Sequence, residues 1–292
     1  MSEIGFVGLG AMGFGMATHL VKSGHKVYGY DVFPASVERF AAAGGIPAAS
    51  LRESAEGKAA YICMVASAPQ AESALFGEDG VVQCMYCGTD TALHGIADIN
   101  SSVGIANWVL GLPPNATLIL CSTVPASYAQ SVADKLVAHN RSDILFVDSP
   151  VSGGTFRAAG GTLSLMAGGS EKALGSARDI LQTLSDKDKL YLVAGGVGAG
   201  SNMKMLHQVL ASIHILAASE VMGFAAGLGL EARDTAAKLL DKKSGTWTWM
   251  LENRFPRMVD EDWNPGASAL TIILKDAVCY SSYWWSLKTD MY

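Results

Sequence analysis

Basic residues are in short supply. The chain carries 21 Lys and Arg against 27 Asp and Glu, a formal net charge of −6, and that deficit argues against a nucleic-acid footprint. Cysteine is scarce as well. Cys63, Cys84, Cys87, Cys121 and Cys279 are an odd set without the spacing of a disulfide framework, so a reducing, cytoplasmic compartment is expected. Cys63 and Cys121 lie in strand-like runs and read as core thiols. No low-complexity tract or internal repeat stands out. No leader is expected, because Ser2-Glu3 runs directly into the first strand-like segment. The most apolar long stretch, 203–230, is interrupted by His207, Gln208, His214 and Glu220. It therefore reads as a buried helix and not as a membrane span.

What is present is a chain of 292 residues, 50% hydrophobic and 16% charged, enough for a sizeable core and long enough to favour two domains. Its most informative segment is Gly8-Leu9-Gly10-Ala11-Met12-Gly13. A strand-like run, Ile4 to Val7, enters it and a helical stretch leaves it. Asp31 follows eighteen residues after Gly13, at the end of a second strand-like run. That order is the fingerprint of a dinucleotide site. The glycines permit a tight turn and close approach of a pyrophosphate, which meets the N–H groups and partial positive charge of a helix N-terminus. The acid suits a ribose 2′-hydroxyl.

Strand and helix signals alternate through the first two-thirds of the chain. Ala59 to Val65, Thr117 to Cys121 and Ile144 to Asp148 are continuous apolar runs, as strands covered on both faces should be. Ser50-Leu51-Arg52-Glu53 has the form of a capping box. Further strands are expected at 162–167 and 190–193. Repeated βα units imply a parallel, doubly wound sheet. After Gly195-Gly196 no strand signal recurs. Helices are expected at about 201–228, 232–241, 246–258 and 267–280. The expected architecture is a Rossmann-type α/β domain over 1–196 followed by an all-α domain over 197–292.

Three other segments carry chemistry. Ser152-Gly153-Gly154 leaves a strand end, where open α/β sheets bind ligands, and its backbone N–H groups and hydroxyl suit a carboxylate. Lys204 is expected in the first turn of the long helix. That position and partial burial would lower its pKa into the range useful for proton transfer. His207 and Gln208 follow at i+3 and i+4, on the same helix face. Lys275-Asp276 closes an apolar run and by itself reads as a helix surface.

Together these motifs resemble the β-hydroxyacid dehydrogenase family, which contains the 3-hydroxyisobutyrate, tartronate semialdehyde and L-threonate dehydrogenases. The resemblance rests on Gly8 to Gly13, on Ser149-Pro150-Val151-Ser152-Gly153-Gly154 with Gly161-Thr162-Leu163, on Gly198-x-Gly200-x-x-x-Lys204, and on Lys275-Asp276. It implies hydride exchange between NAD and a small hydroxyacid, and oligomers built through the helical domain. By position Lys204 matches the family's catalytic lysine, Ser152, Gly153 and Gly154 its substrate-carboxylate cradle, and Thr123 and Lys275 its further cofactor contacts. With NAD across the sheet's carboxyl edge, Met64 and Val65 are read as cofactor contacts too. NADP is disfavoured, because Val32 and Phe33 follow Asp31 and supply no adjacent arginine. No metal, nucleic acid or membrane is implied.

Three features depart from the family. Its members mostly carry two asparagines where this chain has His207 and Gln208. The Lys-x-x-His-Gln pattern resembles the L-threonate branch, and both side chains suit extra substrate hydroxyls. Residues 84–111 resemble an insertion, expected to be an exposed excursion without a metal; Cys84-x-x-Cys87 and His94 lack a second ligand pair. The chain ends sixteen residues after Asp276, where relatives continue for several more helical turns, so a shortened second domain is expected. Two alternatives stay open. One is a dinucleotide-binding module with impaired catalysis. The other is a 6-phosphogluconate dehydrogenase-like enzyme, which would need a cationic cluster for phosphate.

Overall fold

The computed structural model describes residues 1–82, 111–260, 274–276 and 278. The expected excursion over 84–111 therefore lies, but for Gly111, outside the described residues. So does nearly all of the helix expected at 267–280, of which 274–276 are helical. The chain divides into two compact units, Met1–Asn202 and Met203–Tyr292.

The first unit is built on one sheet. Its strands are β1 (Glu3–Val7), β2 (Lys26–Tyr30), β3 (Ile46–Pro47), β4 (Ala60–Cys63), β5 (Thr117–Leu120), β6 (Leu145–Asp148), β7 (Val151–Ser152), β8 (Leu163–Gly169) and β9 (Ser185–Leu192). The order β3-β2-β1-β4-β5-β6 is parallel throughout, the order of a dinucleotide-binding doubly wound sheet. Between the strands run helices α1 (Ala11–Lys22), α2 (Pro34–Ala42), α3 (Leu51–Ala55), α4 (Ala68–Phe76), α5 (Ala126–Ala138), α6 (Gly154–Gly160) and α7 (Glu171–Leu184).

The apolar runs are continuous because both sheet faces are covered. Ile4, Phe6, Ile62, Ile119 and Val147 join Met16 and Leu20 of α1 and Ile180 and Leu184 of α7 in one core. The alternate positions Val7, Tyr61, Cys63, Leu118, Leu120 and Phe146 join Leu75 of α4 and Val132 and Leu136 of α5 in another. Ser50 caps α3 by accepting from Glu53 N at 3.1 Å. The returning Glu53 carboxylate accepts from Ala49 N at 2.6 Å, one residue ahead of the partner a capping box uses.

The sheet is not parallel to its end. β8 runs antiparallel to β6 and to β7, and β9 returns parallel to β8. The physical reason is the connection. A parallel return needs a crossover of a dozen or more residues, and only α6 with its flanking turns separates β7 from β8. β9 also begins five residues before the run expected at 190–193.

The second unit takes most of the long helix α8 (Ala199–Gly227), with α9 (Ala232–Leu239) and α10 (Trp249–Val259). Its core is Ala218, Ala236 and Phe255, with Met222, Leu239, Leu251 and Met258 packed around them. Glu231 caps α9 and Thr248 caps α10 with their side chains. The apolar stretch 203–230 is not buried as expected. Leu206, Leu210, Ile213, Leu216, Phe224 and Leu228 are all more than half exposed. By length and composition α8 would span a bilayer; its polar residues are Ser201, Asn202, Lys204, His207, Gln208, Ser212, His214, Ser219 and Glu220.

Candidate active site

The glycine-rich loop is shaped by its own backbone. Gly8 sits at φ +93°, a conformation that favours glycine. A Cβ on Gly13 would overlap the carbonyl oxygen of Gly8, so the loop closes on itself only with glycine at both places. Gly8 N donates to Tyr30 O at 3.0 Å, and Met64 N donates to Val7 O at 2.9 Å. These bonds bind the carboxyl ends of β1, β2 and β4 together. Ser122 adds the end of β5: its Oγ accepts from Val65 N at 2.9 Å. Met64, Val65 and Thr123 therefore stand at one sheet edge with the glycine loop and Asp31.

Asp31 does more than await a ribose. Its Oδ2 accepts from Leu9 N at 2.7 Å and its Oδ1 from Phe33 N at 2.9 Å, which fixes the carboxylate against the loop. An ionised carboxylate offers about four lone-pair sites, so capacity for a hydroxyl remains. The fold also supplies an arginine that inspection of residues 32 and 33 missed. Arg39, on α2, donates to Leu9 O at 3.0 Å and lies 4.0 Å over the Phe14 ring. Leu9 is thus held by a carboxylate on its N–H and a guanidinium on its carbonyl.

A dinucleotide fits these residues. A Cβ on Gly10 would meet no protein atom within 4 Å, and α1 carries no side-chain cap at its N-terminus, where first-turn N–H groups lack intrahelical partners. Space and donors for an anion coincide at that point. Gly8 to Gly13, Asp31, Met64, Val65 and Thr123 are the residues of this unit that would hold the cofactor.

Ser152, Gly153 and Gly154 leave β7 and open α6. Gly153 has φ +140° and Gly154 φ +73°, two successive conformations that favour glycine. A Cβ on Gly153 would press into the Arg157 side chain at 2.8 Å. Just upstream, Asp148 is buried, and burial pushes its carboxyl above the usual carboxylate range. It accepts from Ser201 N at 2.8 Å and Ser201 Oγ at 2.7 Å. A carboxylate at the first turn of α8 satisfies donors the helix cannot. Asp148 and Ser201 were not among the expected site residues; a strand-end acid placed immediately before the Ser149-Pro150 turn was the only signal.

The remaining candidates belong to the second unit. Lys204, His207, Gln208, Lys275 and Asp276 come together there. Lys204 is buried. Desolvation lowers its pKa to about 8, with the Lys275 charge lowering it further and Asp276 opposing. Of the two expected causes, the helix end and burial, only the second acts. α8 begins at Ala199, so Lys204 is in the second turn, and helix-terminus effects fall off within the first. Burial is what tunes it.

His207 has its pKa pushed down by burial and by the Lys204 charge, so its imidazole is neutral at pH 7. Its Nδ1 lies 3.2 Å from Gln208 Oε1. Gln208 Nε2 donates to Asp276 Oδ2 at 2.6 Å, and Asp276 Oδ1 pairs with Lys275 Nζ at 3.3 Å. The Lys275-Asp276 pair, unremarkable by itself in the sequence, thus closes a polar network around Lys204. Among the described residues no group of three His, Cys, Asp or Glu side chains could hold a metal ion.

Comparison with known proteins agrees with this geometry. Residues 3–195 match the NAD-binding domain of 6-phosphogluconate dehydrogenase. Residues 198–288 match the domain described as NAD-binding of NADP-dependent 3-hydroxyisobutyrate dehydrogenase. The chain is 33% identical over 274 residues to the L-threonate dehydrogenase of Cupriavidus necator, covering 94% of this chain and 80% of that one. To the L-threonate dehydrogenase of Escherichia coli K12 it is 32% identical over 275 residues, covering the same shares of the two chains. The solved structure of a 3-hydroxyisobutyrate dehydrogenase from Salmonella typhimurium superposes with a TM-score of 0.80 at 31% identity, over 99% of this chain and 88% of that one.

Proposed function

This chain belongs to the 3-hydroxyisobutyrate dehydrogenase-related family of nicotinamide-dependent hydroxyacid dehydrogenases, and from that premise we propose that it oxidises a polyhydroxylated acid such as L-threonate with NAD. The observation that carries the reading is the buried Lys204, with its pKa of about 8, beside the His207–Gln208 pair.

The roles follow from the chemistry of each group. Oxidation removes a hydride from the hydroxyl-bearing carbon and a proton from its oxygen. The cofactor, when bound, supplies the redox capacity. Lys204 Nζ takes the hydroxyl proton as a neutral amine, and as an ammonium returns it in the reverse direction. The Ser152–Gly154 turn, with a hydroxyl and successive backbone N–H groups, suits the substrate carboxylate. His207 and Gln208 provide polar groups beyond those a monohydroxy acid needs. Lys275 serves the cofactor, and no metal takes part.

Asp31 supports NAD over NADP. Its carboxylate, locked on Leu9 and Phe33, would face a 2′-phosphate with like charge, and Arg39 is engaged on Leu9 O and the Phe14 ring. A panel of L-threonate, 3-hydroxyisobutyrate and 6-phosphogluconate, each assayed with NAD and with NADP, tests the reading. The expected winner in kcat/KM is L-threonate with NAD. A preference for 6-phosphogluconate, or for NADP, overturns it. Lys275 is the one cation that bears on the Lys204 pKa among the described residues, and it is paired with Asp276; that speaks against a phosphate site there. The buried free thiols Cys63 and Cys121 support a cytoplasmic setting.

A second copy of the chain is the partner that best suits the exposed face of α8. Leu206, Leu210, Ile213, Ala217, Val221, Phe224 and Leu228 recur at spacings of three and four along one stripe that runs to the end of the helix, which is too large an apolar surface for a soluble monomer. Ser212, His214, Ser219 and Glu220 on the same helix argue for protein and against lipid around it. Analytical ultracentrifugation should give a dimer or larger, and Leu210→Glu with Phe224→Glu should shift it toward monomer. A monomeric wild type that pellets with phosphatidylcholine vesicles would reverse this assignment.

A further inference from the structure

The first turn of α8 is built into the first unit. Ala199 to Asn202 belong to that unit, and the helix continues unbroken into the second. Gly198, at φ +92°, turns the chain into the helix. Gly200 lies so close to the ends of β6 and β8 that a Cβ there would stand 2.3 Å from Met166 O and 2.4 Å from Asp148 O. The Asp148 carboxylate fastens the same turn. It accepts from Ser201 N at 2.8 Å, from Ser201 Oγ at 2.7 Å and from Gly198 N. Asn202 N donates to Gly198 O at 2.9 Å and closes the turn. In an α-helix the amide of residue 204 bonds to the carbonyl of residue 200, so the lysine backbone is tied to this anchored stub.

A helix can be capped at lower cost. A serine, threonine or aspartate at the N-cap itself satisfies the same donors from the surface. Here the acceptor comes from 53 positions away and is buried, and burial disfavours its ionised form. Each hydrogen bond that favours the charge comes from Gly198 or Ser201, and no cation contributes. A buried carboxylate costs stability unless its partners hold it well, and all of its partners lie in this one turn. The arrangement therefore favours accurate placement of α8 over stability. A carboxylate suits the task where an amide does not. Three donors converge on two oxygens, and an asparagine would set an NH2 group against one of them.

We propose that Asp148 is a positioning residue for Lys204: its carboxylate locks the first turn of α8 and thereby fixes the register of the helix that carries the lysine. The proposal rests on the reading of Lys204 as the base and deepens it. Ser201 and Lys204 are three positions apart, on one face of the helix. Asp148 takes no part in the proton exchange and acts through Ser201 and the stiff turn that follows.

Amide exchange and kinetics on the full-length protein test this. In Asp148→Ala, protection at Ser201 to Lys204 should fall while the strands of the sheet keep theirs. Its kcat for L-threonate should fall by on the order of 100-fold, the scale of an ångström misplacement, with KM and NADH affinity close to wild type. Asp148→Asn keeps one acceptor oxygen and Ser201→Ala removes one bond. These milder variants should each lose about ten-fold in kcat, roughly the worth of one hydrogen bond, and they carry the test if the alanine variant fails to fold. The deciding variant combines Lys204→Ala with Asp148→Asn. Once the lysine is gone its placement has no consequence, so the residual rate should match that of Lys204→Ala alone. A merely structural loss would lower the rate again. A further fall in that double variant, a rise in KM at unchanged kcat, or NADH affinity lost in parallel with kcat overturns the proposal. If the wild type oxidises no hydroxyacid while protection at Ser201 to Lys204 falls as expected, the lock on α8 is upheld and the dehydrogenase reading falls.

Discussion

Lys204→Ala is expected to lower kcat by about 10²–10⁴-fold, the usual contribution of general acid–base catalysis, while cofactor affinity stays close to wild type. The lysine is buried on α8 and belongs to the second unit, whereas the glycine loop, Asp31, Met64, Val65 and Thr123 belong to the first. Its pKa of about 8 also fixes the pH dependence. Oxidation needs the neutral amine, so its rate should rise as pH increases through about 8. Reduction needs the ammonium and should fall over the same interval. Lys204→Arg should be as poor a base as alanine, because guanidinium does not deprotonate.

The same shift bears on stability. The folded-state pKa of Lys204 lies below the unfolded value of about 10.4. Between about 8 and 10.4 the folded state therefore binds fewer protons, and this group's contribution to stability rises with pH. At pH 7 the buried ammonium costs stability, so Lys204→Met should lose turnover and gain Tm. Stopped-flow rates, calorimetric cofactor titration and thermal melts of the variants check all three points. A Lys204→Ala enzyme with near wild-type kcat would remove the lysine from the mechanism.

Gly13→Ala is expected to lower cofactor affinity by on the order of 100-fold, the scale on which ångström displacements count in a site, with the fold retained. The new Cβ would overlap Gly8 O, and no flexible side-chain end is available to give way there. The loop must open, and Gly8, Leu9 and the first turn of α1 move with it. Overpacking of this kind costs about 1–3 kcal/mol, less than the ~5–15 kcal/mol stability of an ordinary domain. Circular dichroism should therefore be native while NADH fluorescence titration shows weak binding. Affinity within three-fold of wild type would mean that the loop does not grip the dinucleotide.

The fold was legible where local pattern is enough to specify it. Gly8-x-Gly10-x-x-Gly13 between two apolar runs gave a strand, a turn and a helix, and Asp31 stands at the end of β2 as its spacing required. The long helix runs over Ala199–Gly227, within two residues of its expected bounds, because Gly198 and Gly229 punctuate an unbroken helix-forming stretch. Where the outcome depended on distant residues, the pattern was silent. Apolar residues at 163–167 announce a buried strand in either direction, and only the short return through α6 makes β8 antiparallel.

The site divides the same way. The sequence alone determined which residues the proposed chemistry draws on: a glycine-rich turn after the first strand, an acid after the second, another glycine-rich turn and a lysine with its helix-face neighbours, all read from spacings of fewer than about twenty residues, over which backbone geometry is periodic. The tertiary structure decided the surroundings of those groups. It buried Lys204, and so set its pKa by desolvation instead of by a helix end. It brought Arg39 onto Leu9, and it joined Gln208 to Asp276 across 68 positions of chain. Burial and hydrogen-bond partnership depend on which segments pack together, and no periodicity within a segment encodes that.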